Sequence, residues 1–170
     1  YGNNGKDWLY GGNGTDSLYG GDGNDRIYGN NDNDSLYGES GDDLLVGGEG
    51  HDRLYGGDGD TEIGKDILYG GEGNDQIYGR ADEDILYGEN GDDLRVGGEG
   101  NDKLYGGDGN DELRAGVNLG TRGFFTFTHE FHNDDDILYG GNGNDYLRGL
   151  SGNDRFWGEN GDDIIWADMG

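Results

Sequence analysis

An aspartate returns every ninth residue along this chain: at Asp7, Asp16, Asp25, Asp34, Asp43 and Asp52, then at Asp66, Asp75, Asp84, Asp93, Asp102 and Asp111, and last at Asp136, Asp145, Asp154 and Asp163. So short a fixed period dictates a stack of like units, none able to bury a core alone. The nonapeptide frame starts at Gly2, breaks after Gly56, returns at Thr61, breaks after Arg114 and returns at Phe131. Sixteen frames result; every one has Asp at its sixth place, and fifteen have an apolar residue at the eighth, Arg95 being the exception. A longer copy lies over the short one, because residues 38–59 recur with few changes at 88–109.

Only 29% of the residues are hydrophobic, and 38 acidic residues face 11 basic ones for a net charge of -27. Composition alone would place such a chain among disordered polypeptides. Strict spacing and twelve tyrosines argue for order instead. The charge excludes nucleic acid as a partner, since phosphate binding needs Lys and Arg, and it repels an anionic membrane surface. It suits multivalent cations. No cysteine is present, so no disulfide framework is expected. No apolar run long enough to span a membrane occurs. No basic-then-apolar leader opens the sequence, so an export address, if the protein is secreted, is uncleaved or lies elsewhere.

The repeat resembles the RTX (repeats-in-toxin) nonapeptide, G-G-x-G-x-D-x-U-x with U a large aliphatic, over most of the chain. That resemblance implies a calcium-binding parallel β-roll in a bacterial protein exported by type I secretion, with calcium driving folding outside the cell. The partner domain would be a toxin, protease, lipase or epimerase.

The same chemistry follows from the residues. Ca²⁺ takes six to eight oxygens, carboxylate or carbonyl. One nonapeptide supplies one well-placed carboxylate, which is too few. Two turns stacked on each other supply two carboxylates and several carbonyls. Glycines at places one, two and four let the backbone reach positive φ and aim carbonyls at one point. Asp32, Asp82 and Asp134 replace the fourth-place glycine with a residue that tolerates that conformation. Places seven to nine alternate as a short strand with the eighth side chain inward. The residues thus point to an all-β coil with two nonapeptides per turn of the coil and calcium in the turns, and the resemblance implies that this is a right-handed parallel β-roll.

Turns on one side of such a roll are two repeats apart. The bridging sets are Asp7–Asp25–Asp43, Asp16–Asp34–Asp52, Asp66–Asp84–Asp102, Asp75–Asp93–Asp111, Asp136–Asp154 and Asp145–Asp163. Counting only pairs inside an unbroken frame, about ten ions are expected. The organisation read from the frames is a first run over 1–60, a second over 61–114, a Phe-rich insertion over 115–132 and a third run with the C-terminal end over 133–170, in one continuous solenoid. Thr61 stands where a further Asp would fall, so a missing or distorted site is expected near it.

Several features admit two readings. Tyrosine fills the ninth place ten times, at Tyr10, Tyr19, Tyr28, Tyr37, Tyr55, Tyr69, Tyr78, Tyr87, Tyr105 and Tyr139; it either stacks across strands or forms a surface for glycans or a protein. The insertion, with Phe124, Phe125, Phe127 and Phe131, is an apolar flap over a joint or a binding loop. His129 and His132 fall one residue short of the zinc-protease spacing. Trp8, Phe156, Trp157 and Trp166 cap the ends or mediate end-to-end stacking into a filament. Arg95 turns outward through a strand slip or reaches a carboxylate. No serine lies in a nucleophile-elbow context and no phosphate loop is present, so no enzymatic activity is expected. The functions in play are a calcium-folded module of a larger secreted protein, an extracellular structural element such as an adhesin, surface-layer or filament subunit, and a ligand-binding module.

Overall fold

The eighth-place residue decides the architecture. A single aliphatic side chain flanked by polar or aromatic neighbours can be buried only from one face of a strand. Stacking like strands along an axis then lines those side chains into one column. The computed structural model describes residues 1–57, 64–116, 134–150 and 152–167. Among them are seventeen strands and no helix.

The strands form two parallel sheets, one on each side of a flattened solenoid. The nine-stranded sheet contains, in order, β1 (Asn3–Asn4), β3 (Ser17–Asp22), β5 (Ser35–Ser40), β7 (Arg53–Tyr55), β9 (Gln76–Ala81), β11 (Leu94–Glu99), β13 (Glu112–Arg114), β15 (Tyr146–Arg148) and β17 (Ile164–Trp166). The eight-stranded sheet contains β2 (Trp8–Asn13), β4 (Arg26–Asn31), β6 (Leu44–Glu49), β8 (Ile67–Glu72), β10 (Ile85–Asn90), β12 (Lys103–Asp108), β14 (Ile137–Asn142) and β16 (Arg155–Asn160). Sheet neighbours are two repeats apart, as Leu18↔Leu36 shows, so one coil consumes two nonapeptides, about eight coils in all.

Between the sheets lies a thin core of two facing columns, one inward side chain per strand. Ile27, Leu36, Leu45, Leu54, Leu68, Ile77, Leu86, Leu104, Leu113, Leu138 and Leu147 are all 0% exposed. Leu9, Leu18 and Phe156 pack against the ends of this core. Of the large aromatics near the termini, Phe156 alone turns inward; Trp8, Trp157 and Trp166 stand on the outer faces. Leu86 sits mid-column between register partners Leu68 and Leu104. Leu86→Ala is expected to lower the unfolding free energy of the calcium-loaded protein by about 2–5 kcal/mol, through lost burial and a residual cavity. Denaturant melts against the unsubstituted chain measure this, and a change inside their error would show the column to be incidental.

Most strands are longer than the three residues expected from places seven to nine. They continue through the first three places of the next repeat, leaving three residues per turn, and the register skips the first-place glycine: Tyr19↔Tyr37 is followed by Gly21↔Glu39.

Both frame breaks leave the sheets intact. β6 pairs with β8 through Leu45↔Leu68, and β12 with β14 through Leu104↔Leu138. The frames resume at different residues from those taken at constant spacing. Gly56, not Thr61, fills the first place of the seventh repeat: its N–H donates to Tyr78 O and its carbonyl accepts from Glu39. Ala115, not Phe131, fills the first place of the thirteenth, donating to Arg148 O and accepting from Gly98. The added residues thus stand where a single third-place residue ends the strand elsewhere. Segments 58–63 and 117–133, with Thr61, Phe124, Phe125, Phe127, His129, Phe131 and His132, lie outside the described residues.

Outside the core, tyrosines form ladders. Tyr1, Tyr19, Tyr37, Tyr55 and Tyr78 stack in sequence on the nine-stranded sheet, with ring centroids 4.6–5.1 Å apart. Tyr69, Tyr87, Tyr105, Tyr139 and Trp157 do so on the other face. This spacing is the interstrand distance of a β-sheet, so in-register pairing accounts for the ladders.

Candidate metal centre

Each sixth-place aspartate ends a turn and begins a strand. Its backbone N–H points along the solenoid axis, where the next carboxylate on the same side meets it. Asp7 N donates to Asp25 Oδ1 at 2.7 Å, Asp25 N to Asp43 Oδ1 at 2.7 Å, and Asp66 N to Asp84 Oδ1 at 2.9 Å. The expected pairs are all joined in this way, Asp84 with Asp102 and Asp136 with Asp154 among them. On the other side the chain of contacts runs Asp16–Asp34–Asp52 and Asp75–Asp93–Asp111, then from Asp145 to Asp163.

The joints add four contacts that constant spacing could not show. Asp43 N donates to Asp66 Oδ1 and Asp52 N to Asp75 Oδ1, both at 2.8 Å across 23 residues. Asp102 N donates to Asp136 Oδ1 at 2.6 Å and Asp111 N to Asp145 Oδ1 at 2.8 Å, both across 34 residues. The gap expected near Thr61 is therefore absent from the carboxylate columns. Two columns run the length of the solenoid with seven links each.

The second carboxylate oxygen has a different fate. Oδ2 of Asp7, Asp16, Asp25, Asp34, Asp43, Asp52, Asp75, Asp84, Asp102, Asp111 and Asp145 is buried without a hydrogen-bond partner. It faces the first-place glycine of its own repeat and the first-place carbonyl of the next coil. At Gly79, a Cβ would strike Asp84 Oδ2 and the Gly97 carbonyl; at Gly38 it would strike Asp43 Oδ2 and the Gly56 carbonyl. The first glycine thus keeps open a small oxygen-lined cradle. Sequence reading assigned it only backbone freedom.

Places two and four shape the rest. Gly21 and Gly23 hold φ of 107° and 127°, and their Cα atoms face the carbonyls of Asn3 and Gly5 one coil away. Asp32 and Asp82 keep the same turn at φ 73° and 71°. The φ of Asp134 depends on residue 133, which lies outside the described residues. Glu39, Arg80, Glu89 and Glu159 hold positive φ at the second place, a conformation that disfavours a Cβ.

Burial without a counter-ion raises these carboxyls. Desolvation pushes Asp43 and Asp84 to about 8 and Asp102 to about 10, although a backbone N–H from the preceding coil pulls each back. Asp66, Asp75 and Asp136 reach about 7 for the same reasons. Asp93 is pushed by burial only to about 6, because the Arg95 guanidinium beside it favours its anion. Arg95 does not slip outward; it is 0% exposed.

The donor set fits a hard divalent cation. It consists of orphaned carboxylate oxygens, axial carbonyls and a space a methyl group would fill. Among the described residues no three His, Cys, Asp or Glu side chains converge, so any ion here draws part of its shell from the backbone. Gly79→Ala would put a methyl group in one cradle. The expected outcome is one bound ion fewer per chain and a loss of about 1–3 kcal/mol from overpacking, read by native mass spectrometry and calcium-loaded melts. An unchanged ion count would remove the first glycine from the site. Ala115, 1% exposed at a first place, shows that the coil itself can accommodate such a methyl group.

The sequence model of the RTX calcium-binding nonapeptide repeat matches the chain at residues 1–36, 28–63, 60–94, 96–117 and 139–170. No curated protein matches it.

Proposed function

This chain belongs to the RTX calcium-binding nonapeptide repeat family, and from that premise we propose that it is a non-catalytic calcium module of a secreted bacterial protein, which folds when it meets extracellular calcium and so supports export and stability of a larger polypeptide. The observation that carries this reading is the set of buried, unpartnered Oδ2 atoms repeated along two columns. Each column member, Asp7 through Asp163, would give carboxylate oxygen to ions lying between successive turns. Fourteen neighbouring pairs, rather than about ten, are linked once the columns are followed through the joints, and those whose first place is glycine and whose cradle holds no side chain are open to an ion.

Extracellular calcium modules in general bind at roughly 10⁻⁴–10⁻³ M, and sites here are expected in that range. They would stay empty in cytosol, leaving the chain unfolded for passage through an exporter, and fill outside. Equilibrium dialysis against sub-micromolar and millimolar calcium, with magnesium as control, tests this. The expected result is loading only at millimolar calcium and not by magnesium, whose rigid octahedral demand suits the cradle poorly. Saturation at sub-micromolar calcium would rule out folding gated by export.

A further inference from the structure

Arg95 occupies the eighth place of its repeat, where the other fifteen repeats have Leu, Ile or Phe. Its strand has not slipped, since Arg95 is in register with Ile77 on one side and Leu113 on the other. A charge fully buried in so thin a core needs opposite charge at hand. Nη1 donates to Asp93 Oδ2 at 3.1 Å and to the Gly106 carbonyl at 3.1 Å, and Nη2 lies 2.7 Å from Asp111 Oδ1.

Those three oxygens correspond to the groups that define a cradle elsewhere. Asp93 and Asp111 are successive members of one column, linked by Asp93 N to Asp111 Oδ1. Gly106 is the first-place residue of the Asp111 repeat. A Cβ at Gly88, the first-place glycine of the Asp93 repeat, would meet Arg95 Nη1 before it met Asp93 Oδ2. At Gly79, one repeat earlier, the corresponding space holds no side-chain cation.

We propose that Arg95 is a resident cation: its guanidinium fills the cradle between Asp93 and Asp111 and takes the place of one calcium ion there. The inference rests on the calcium reading of the cradles. Among the described residues, it makes this the one pair of turns whose column charge is met by the chain itself, independent of the calcium concentration. A guanidinium suits the task because its planar fork can reach two carboxylates and a carbonyl at once.

Native mass spectrometry in calcium resolves single ions and decides the matter. Arg95→Leu, which restores the aliphatic eighth place, is expected to bind one calcium more per chain than the unsubstituted protein. Ile77→Arg, which sets a guanidinium by the Asp75 cradle, is expected to bind one fewer. Equal counts in Arg95→Leu and the parent overturn the proposal, and so does an Arg95→Leu chain that stays unfolded in calcium sufficient to fold the parent, because a reopened cradle would be rescued by the ion. A parent that binds no calcium at all would instead refute the reading of the cradles on which this one rests.

Discussion

Stripped of metal near neutral pH, the chain will give the far-ultraviolet circular dichroism of a disordered polypeptide, and millimolar calcium will convert it to a β spectrum. The reason is the ratio of what is buried to what is ordered. Most nine-residue units bury one aliphatic side chain and, with it, one carboxylate. Twelve sixth-place aspartates, Asp25 through Asp145, are at most 4% exposed; their charge is a large part of the net -27, and among the described residues one buried cation, Arg95, meets it. Burying an anion without a partner is among the more costly things a fold can do. When the site exists only in the folded state, the free energy of ion binding becomes free energy of folding. Magnesium at the same concentration should leave the spectrum unchanged. Identical β spectra with and without calcium would show that the tyrosine ladders and the aliphatic column suffice alone.

Acid should do part of what calcium does. In the metal-free fold, the carboxyls of Asp43, Asp66, Asp75, Asp84, Asp102 and Asp136 are raised by burial from 3.8 to between about 7 and about 10. A group held higher in the folded state than in the unfolded one stabilises the fold fully below its unfolded value and loses that contribution as pH rises through its folded value. The metal-free chain is therefore expected to be ordered near pH 4 and to lose stability progressively as pH climbs from there, so that it is disordered near neutral pH and the loss is complete by about 10. Calcium reverses the trend, because protons and the ion compete for the same oxygens, and the calcium needed for folding should fall as pH rises. A pH series of metal-free spectra, with sedimentation to separate folding from association near the isoelectric point, checks the first half. A metal-free chain that gained β structure with rising pH would contradict the assignment of these buried groups.

The period made most of the fold legible in the sequence because each task belongs to one place in nine. Leu86 could be assigned to a core and Asp84 to a column from spacing alone. Constant spacing failed where the spacing changed. A frame cut every nine residues restarts at Thr61 and Phe131, because constant spacing cannot show that Gly56 and Ala115 already occupy the first place and that the extra residues follow at the third. The third place is the last residue of a strand, so lengthening it shortens the ladder there, as at β5 and β7, paired only through Ser35↔Arg53, Leu36↔Leu54 and Tyr37↔Tyr55, while the core positions and the carboxylate columns stay in register. The depth of the carboxylates was equally hidden. Spacing brings Asp43 and Asp66 together, but only the coil closing over them shows that Oδ2 turns inward without a partner. Arg95 posed a choice of direction, and direction is a property of the neighbours, not of the place.

Insertions that hang from the third place have a geometric consequence. Segments of six and seventeen residues, 58–63 and 117–133, stand where single residues stand elsewhere, yet Leu45 still meets Leu68 and Leu104 still meets Leu138. End-to-end distance is thereby uncoupled from chain length. Every coil advances the axis by one strand spacing, about 4.8 Å, whatever its turn carries. The solenoid behaves as a ruler whose graduations are coils rather than residues, and anything carried on its turns is held at a whole number of those steps from everything else.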